Sequence, residues 1–212
     1  MKALIIGATG ATGKDLVNSL LRDPAYTEVV TFVRRKSVTA HPKLSEVITG
    51  FDRLEEVAGH IHGDVWFSCL GTTLKAAGSK EKQRQIDYDI PLHFAKIARQ
   101  NGVSKAVILS AYGASPASKV FYSRMKGELD EAVRDLAFEQ CIIFKPGMLV
   151  RKDTDRLGER LSLPVLNFFN ALGLFKRFRP LSTSVLAEKM AKAPVRLPAG
   201  THQIELDDIF RF

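Results

Sequence analysis

The sequence predicts an α/β protein: a doubly wound parallel sheet with a small C-terminal lobe. Three observations carry this expectation. Strand-like apolar runs alternate with helical patterns from Met1 to Val150. The first run, Lys2 to Ile6, passes straight into Gly7, Gly10 and Gly13 and then into the helical pattern Lys14 to Leu21. No segment repeats, so the alternation reads as one sheet with right-handed crossovers and helices on both faces. The 212 residues fit one domain, 1–212, in which 151–200 form a substrate or lid lobe.

Composition narrows the function. Apolar residues make up 45% and charged residues 25% of the chain, the balance of an ordinary globular protein. The apolar runs fall short of a membrane span, and Leu4-Ile5-Ile6 is too short for a secretory leader, so no membrane insertion is expected. Cys69 and Cys141 each sit in an apolar strand-like run, which favours reduced, buried thiols over a disulfide or a metal site. A cytoplasmic location is the expectation. The net charge is +8, but its Lys and Arg are scattered among acids, and no nucleic-acid-binding signature accompanies them. Nucleic acid is therefore not an expected partner.

The glycine turn, Gly7-Ala8-Thr9-Gly10-Ala11-Thr12-Gly13, lies between the first strand and the first helix. A tight turn needs a residue free to take positive φ, and a pyrophosphate needs backbone with no Cβ in its way. The N–H groups of the helix's first turn then face an anion. A second strand, Glu28 to Val33, ends at Arg34-Arg35-Lys36. About 20 positions beyond such glycines an acidic residue would bind the ribose 2′-OH and select NAD. Arg34 stands there instead, with Arg35 beside it, and a guanidinium grips a 2′-phosphate through paired hydrogen bonds. NADP(H) is the expected cofactor.

A short third strand, Glu46 to Ile48, leads to Gly50-Phe51-Asp52. Asp52 lies where an adenine-edge contact is expected, although capping the helical turns of Leu54 to Ala58 accounts for it equally. The fourth strand, Asp64 to Leu70, ends in Gly71-Thr72-Thr73, whose small residue and hydroxyls suit a crevice floor. Lys75 to Lys82 reads as an exposed loop. A helix from about Gln83 to Gln100 follows, with Ile86, Ile90, Phe94, Ile97 and Ala98 on its apolar face and Asn101-Gly102 at its end. The fifth strand, Lys105 to Leu109, arrives at Ser110-Ala111, and the next helix carries Tyr122 and Lys126. The sixth strand, Glu139 to Phe144, closes on Lys145-Pro146-Gly147. Beyond Met148 a charged surface segment, Arg151 to Arg160, precedes the apolar and aromatic Leu161 to Phe178, which reads as a lid, a dimer surface or the lobe's core. A helix over Val185 to Lys192 and a last strand over Thr201 to Leu206 complete the chain.

Tyr122 and Lys126, one helical turn apart, project from one face. A phenol with its ordinary pKa of about 10 is a poor base at neutral pH, and a neighbouring ammonium brings it toward working range. The Ser110 hydroxyl at a strand end can hold the substrate oxygen while hydride moves to or from a nicotinamide. Lys126 can also bind the nicotinamide ribose.

The chain resembles the atypical NAD(P)-binding branch of the short-chain dehydrogenase/reductase superfamily, the Tat-interacting-protein-like oxidoreductases. The matching elements are Gly7 to Gly13, Arg34, Cys69-Leu70-Gly71-Thr72-Thr73, Tyr122-x-x-x-Lys126-Gly127-Glu128 and Lys145-Pro146-Gly147. The resemblance implies a Rossmann fold, NADP(H) in its crevice, a small substrate lobe, and Pro146 and Gly147 bordering the nicotinamide. One departure stands out. Related sequences often end the fifth strand in a serine pair whose second member is catalytic, whereas this chain has Ser110-Ala111. Ser110 then takes the role through a shift of one residue, or Thr72 or Ser115 does.

Three functions follow, in order of preference. One is an NADP(H)-dependent oxidoreductase acting on a small carbonyl or alcohol, as monomer or homodimer, with Tyr122 as acid/base, Lys126 as its tuner and Ser110 as orienter. The second is a cofactor-binding regulatory or interaction protein with little turnover. The third is a sugar-nucleotide epimerase-like enzyme, for which the C-terminal portion leaves little room.

Overall fold

The computed structural model describes residues 1–37, 40–150 and 179–212. Seven strands form one sheet: β1 (Lys2–Ile6), β2 (Glu28–Val33), β3 (Leu44–Ile48), β4 (Val65–Ser68), β5 (Lys105–Leu109), β6 (Gln140–Lys145) and, after a two-residue pair β7 (Leu149–Val150) and β8 (Leu181–Ser182), β9 (Gly200–Glu205). Their order is β3-β2-β1-β4-β5-β6-β9, and every neighbouring pair is parallel. The chain winds outward from β1 to β3, then crosses back and winds the other way from β4. The winding reverses between β1 and β4, where the carboxyl ends of the strands open a crevice.

Both faces of the sheet are apolar because both are covered. Along β1, Ala3 and Ile5 face one layer and Leu4 and Ile6 the other. The first layer holds α1 (Ala11–Arg22), through Leu16 and Leu20, and the α6 helix (Thr183–Arg196), through Leu186 and Met190. The second holds α4 (Ile90–Gln100) and α5 (Phe121–Asp135), through Phe94, Ala98, Leu129 and Val133. There Phe94 stacks on Trp66 with centroids 6.0 Å apart and meets Phe32 edge-on at 4.8 Å. The expected doubly wound α/β class is the observed one.

Several local expectations need correction. Lys75 to Lys82 is not a loop: α2 (Leu74–Ala77) and α3 (Lys80–Arg84) occupy most of it, each started by a hydroxyl cap. Thr73 Oγ1 accepts from the Ala76 N–H at 3.2 Å and Ser79 Oγ from the Lys82 N–H at 3.2 Å. The long helix is interrupted by a π-helical stretch, Gln85–Asp89, between α3 and α4. Asp52 is not the cap residue: the 3₁₀ helix Leu54–His60 has Arg53 at its N-cap, with no side-chain cap bond. The expected C-terminal helix is longer, α6, and the last strand is β9, followed by a short α7 (Asp208–Arg211). Both Arg151 to Arg160 and Leu161 to Phe178 lie outside the described residues. Among the described residues, no helix is long and apolar enough to cross a membrane.

The α6 helix is fastened to the first half of the chain by a buried hydrogen bond, Tyr26 Oη donating to the Ala191 carbonyl at 2.6 Å. Tyr26→Phe leaves that carbonyl buried without its donor and should cost about 1 to 2 kcal/mol in equilibrium denaturation. An unchanged midpoint would show that the bond contributes nothing to holding α6.

Candidate functional site

The carboxyl ends of β1 and β4 approach so closely that only glycine fits between them. Gly7 has φ of +81°, and a Cβ there would lie 2.5 Å from the Cys69 carbonyl carbon. A Cβ on Gly13 would lie 2.1 Å from the Gly7 carbonyl oxygen, so α1 can pack against the turn only without a side chain there. Gly10 precedes α1 and donates to the Gly7 carbonyl at 3.1 Å. The N-cap residue of α1, Gly10, brings no side-chain cap, and the first turn holds no acid. The N–H groups and positive dipole end of that turn suit an anion.

This terminus opens on a cavity of about 700 Å³. Gly10, Ala11 and Thr12 line one side of it, Leu70, Gly71 and Thr72 its floor, and Ser110, Tyr122 and Lys126 the far wall. Leu74, Val120, Phe121 and Leu149 add an apolar rim. Thr9, Arg34 and Arg35 line a separate cavity of about 430 Å³ beyond β2. Most of the sequence-expected residues thus fall into two cavities. Asp52 lines neither; it is an exposed residue before the 3₁₀ helix. Pro146 and Gly147 follow β6 and line neither cavity, although the Pro146 carbonyl accepts from the Tyr112 N–H at 2.9 Å.

Behind the far wall lies a buried set of charges. Lys126 is 3% exposed and its Nζ donates to the Leu109 carbonyl at 2.9 Å. Ser110 Oγ donates to Asp130 Oδ2 at 2.8 Å, and Lys145 Nζ sits 3.3 Å from the same oxygen. Asp87 Oδ1 accepts from the Thr72 N–H at 2.7 Å. Burial disfavours charge at Lys126, Asp130 and Asp87, and opposite charges offset it. Burial pushes the Lys126 ammonium down, opposed by Asp130, Asp87 and Cys69. It pushes the Asp130 carboxyl up, opposed by Lys126, Ser110 and Lys145. Asp87 rises from 3.8 to about 6, through burial and against the pull of Lys126. The Cys69 thiol is pushed up to about 12 by burial, which makes it an inert thiol rather than a nucleophile.

Two expectations about this wall change. Lys126 does not bring the Tyr122 phenol down. Its ammonium is committed to Leu109 and faces two carboxylates, while the phenol is pushed up to about 12 by burial and by the fields of Asp87 and Asp130. Tyr122 therefore holds its proton. Ser110 is also committed, its only hydroxyl proton given to Asp130. The sequence reading missed Gln83, Asp87, Asp130 and the ionic part of Lys145. Polar residues in helices read as solvent-facing, and only the four-residue spacing of Lys126 and Asp130, and of Gln83 and Asp87, hinted at shared faces.

A family model described as NAD(P)H-binding matches residues 7–158. The chain belongs to that family. It is 35% identical to the protein fmp52, mitochondrial, of Emericella nidulans over 80% of this chain and 75% of that one. It is 34% identical to the protein HTATIP2 of Rattus norvegicus over 79% of this chain and 70% of that one. These relatives place it in the atypical NAD(P)-binding branch of the short-chain dehydrogenases/reductases. A structure of a superfamily protein from Agrobacterium tumefaciens with bound NAD superposes with a TM-score of 0.73, covering 97% of this chain and 77% of that one at 15% identity. At that identity the likeness is one of fold. The expectation of a cytoplasmic family member is overturned, because the Emericella nidulans relative is named mitochondrial. So is a Candida albicans relative, 31% identical over 87% of this chain and 83% of its own.

Because Asp87 is raised in the folded protein, its contribution to stability is present below its unfolded value and is lost as pH rises through about 6. Asp87→Asn removes this dependence. Denaturation from pH 4 to pH 7 should show the native protein losing stability relative to the variant by on the order of 2 to 3 kcal/mol. Parallel curves for the two proteins would contradict the burial of an ionised carboxylate.

Proposed function

We propose that this protein is an NADP(H)-dependent oxidoreductase of the short-chain dehydrogenase type, transferring hydride to or from a small carbonyl or alcohol substrate. The observation that carries the reading is one cavity lined at one end by the uncapped start of α1 and at the other by Tyr122, Lys126 and Ser110. The side chain-free cradle of Gly7 and Gly13 fits a dinucleotide pyrophosphate.

When bound, the nicotinamide supplies or accepts the hydride. The chain's own groups supply the rest. The first turn of α1, Gly10 to Thr12, binds the pyrophosphate. Arg34, Arg35 and Thr9 take the 2′-phosphate, and Asp52 contacts the adenine edge. Leu70, Gly71 and Thr72 form the floor, and Pro146 and Gly147 border the nicotinamide. Lys126 holds the nicotinamide ribose. Tyr122, which keeps its proton at neutral pH, is suited to donate it to a carbonyl oxygen as the carbon is reduced. Ser110 orients the substrate oxygen once its hydroxyl turns from Asp130.

A second reading, a cofactor-binding protein with little turnover, is favoured by one observation: the Ser110 hydroxyl donates into the protein at 2.8 Å rather than into the cavity.

Two substitutions test the assignment. Arg34→Glu should weaken NADPH by about 10- to 100-fold and leave NADH nearly unchanged in a fluorescence titration, since it removes a charge-assisted pair with the 2′-phosphate. Equal loss for both nucleotides would remove Arg34 from that role. Tyr122→Phe should keep NADPH affinity and abolish carbonyl reduction across a substrate panel. Surviving turnover would refute the proton donor; no turnover in the native protein would favour the second reading.

A further inference from the structure

Lys80 is placed by the turn that joins α2 to α3. Gly78 ends α2 in the left-handed region, with φ of +85°, and Ser79 caps the next helix through its bond from the Lys82 N–H. Lys80 is then the first residue of α3. Its side chain is exposed and lines the cavity, with Nζ 5.6 Å from the centroid of the Phe121 ring. Phe121 opens α5 and precedes Tyr122, so the ammonium stands on the wall that carries the proton donor and not at the start of α1. The ring attracts the cation and holds its place without neutralising it.

Nothing that lines the cavity answers this charge. Among the described residues that line it there is no carboxylate, and its charged side chains are two cations, Lys80 and Lys126. Lys126 is committed to the Leu109 carbonyl, whereas Lys80 has no ion-pair partner among the described residues. The charges next to it in sequence are turned elsewhere: Glu81 bonds back to its own N–H and to Ser79, and Arg84 takes Glu128 at 2.6 Å. The surface between Lys80 and Tyr122 is apolar, formed by Leu74, Ala76, Val120 and Phe121, of which Leu74 is 46% and Val120 62% exposed. An unanswered ammonium at the edge of an open apolar wall complements an anion with an apolar body. A single ammonium, with no guanidinium fork beside it, matches a monoanionic carboxylate better than a phosphate dianion.

We propose that the substrate end of this cavity takes an apolar oxo-acid: its carboxylate pairs with the Lys80 ammonium, its hydrocarbon body lies along Leu74, Val120 and Phe121, and its ketone reaches Tyr122. Lys80 is then the residue that selects acids over neutral carbonyl compounds. This rests on the reading in which the cavity holds NADP(H) and Tyr122 is the proton donor. The ketone carbon takes the hydride of NADPH and the ketone oxygen the phenol proton, giving a hydroxy-acid whose carboxylate is unchanged.

The test is binding to the full chain of two probes that do not react, decanoate and its neutral counterpart decanamide, by calorimetry with NADPH present. Decanoate should bind about tenfold tighter than decanamide. Lys80→Met should remove that preference by weakening decanoate alone, and Lys80→Glu should replace it with a preference for decylammonium. Lys80 is exposed, so neither variant should disturb folding. NADPH affinity should be unchanged in Lys80→Met. The proposal is overturned if the two probes bind the native protein alike, or if Lys80→Met weakens both equally. It is also overturned if Lys80→Met weakens NADPH as much as decanoate, which would give Lys80 to the cofactor phosphates. A decanoate preference that survives Lys80→Met and is lost in Tyr122→Phe would place the carboxylate at Tyr122 and overturn it as well. In an active protein, kcat/KM for 9-oxodecanoate should exceed that for its methyl ester about tenfold, and Lys80→Met should abolish the difference. The binding measurement needs no turnover: a native protein that binds decanoate through Lys80 but reduces nothing would sink the reductase reading and leave the assignment of Lys80 as the carboxylate anchor standing.

Discussion

An ammonium buried at the carboxyl end of a sheet is costly unless every surrounding element answers it, and Lys126 is such a group. Its answer comes from three places: the Leu109 carbonyl at the end of β5, Asp130 one turn along α5, and Asp87 on the π-helical stretch, while Lys145 at the end of β6 shares Asp130 with it. Two carboxylates and two ammoniums then balance inside a low-dielectric wall. Removing any one leaves an uncompensated charge, so the wall acts as a unit. The first turn of α5 carries Tyr122 into the same cavity wall.

The same balance shapes the chemistry. Burial, and then the fields of the same Asp87 and Asp130 that face Lys126, push the Tyr122 phenol up, and it stays protonated. Ser110 is drawn into the same network by Asp130, which makes its hydroxyl part of the wall's hydrogen bonding as well as of the cavity lining.

The two halves of the site obey different physics. The anion end is built from backbone, from a turn with no room for side chains and an uncapped helix start, with exposed arginines beyond it. The far wall is built from buried, mutually dependent side chains. Backbone geometry survives wide sequence change, which accounts for a TM-score of 0.73 at 15% identity to a solved NAD-bound structure.

What the sequence determined by itself was whatever depends on local pattern. Apolar runs and glycines at Gly7, Gly10 and Gly13 specify a strand, a turn and a helix without reference to the rest of the chain, because each is a short-range constraint. The same holds for Arg34 after β2 and for Tyr122 and Lys126 on one helix face, which brought the family and most cavity residues into view. Tertiary structure alone decided the states of those residues. Gln83 and Asp87 read as the polar face of a helix, but the π-helical stretch and packing against α5 turn them inward toward Thr72. Likewise Asp130 and Lys145 are far apart in sequence and meet only because β5 and β6 are neighbours with α5 laid across them. Burial and opposite charge, which set the protonation of Tyr122 and Asp87, are properties of that assembled neighbourhood and are written in no local pattern.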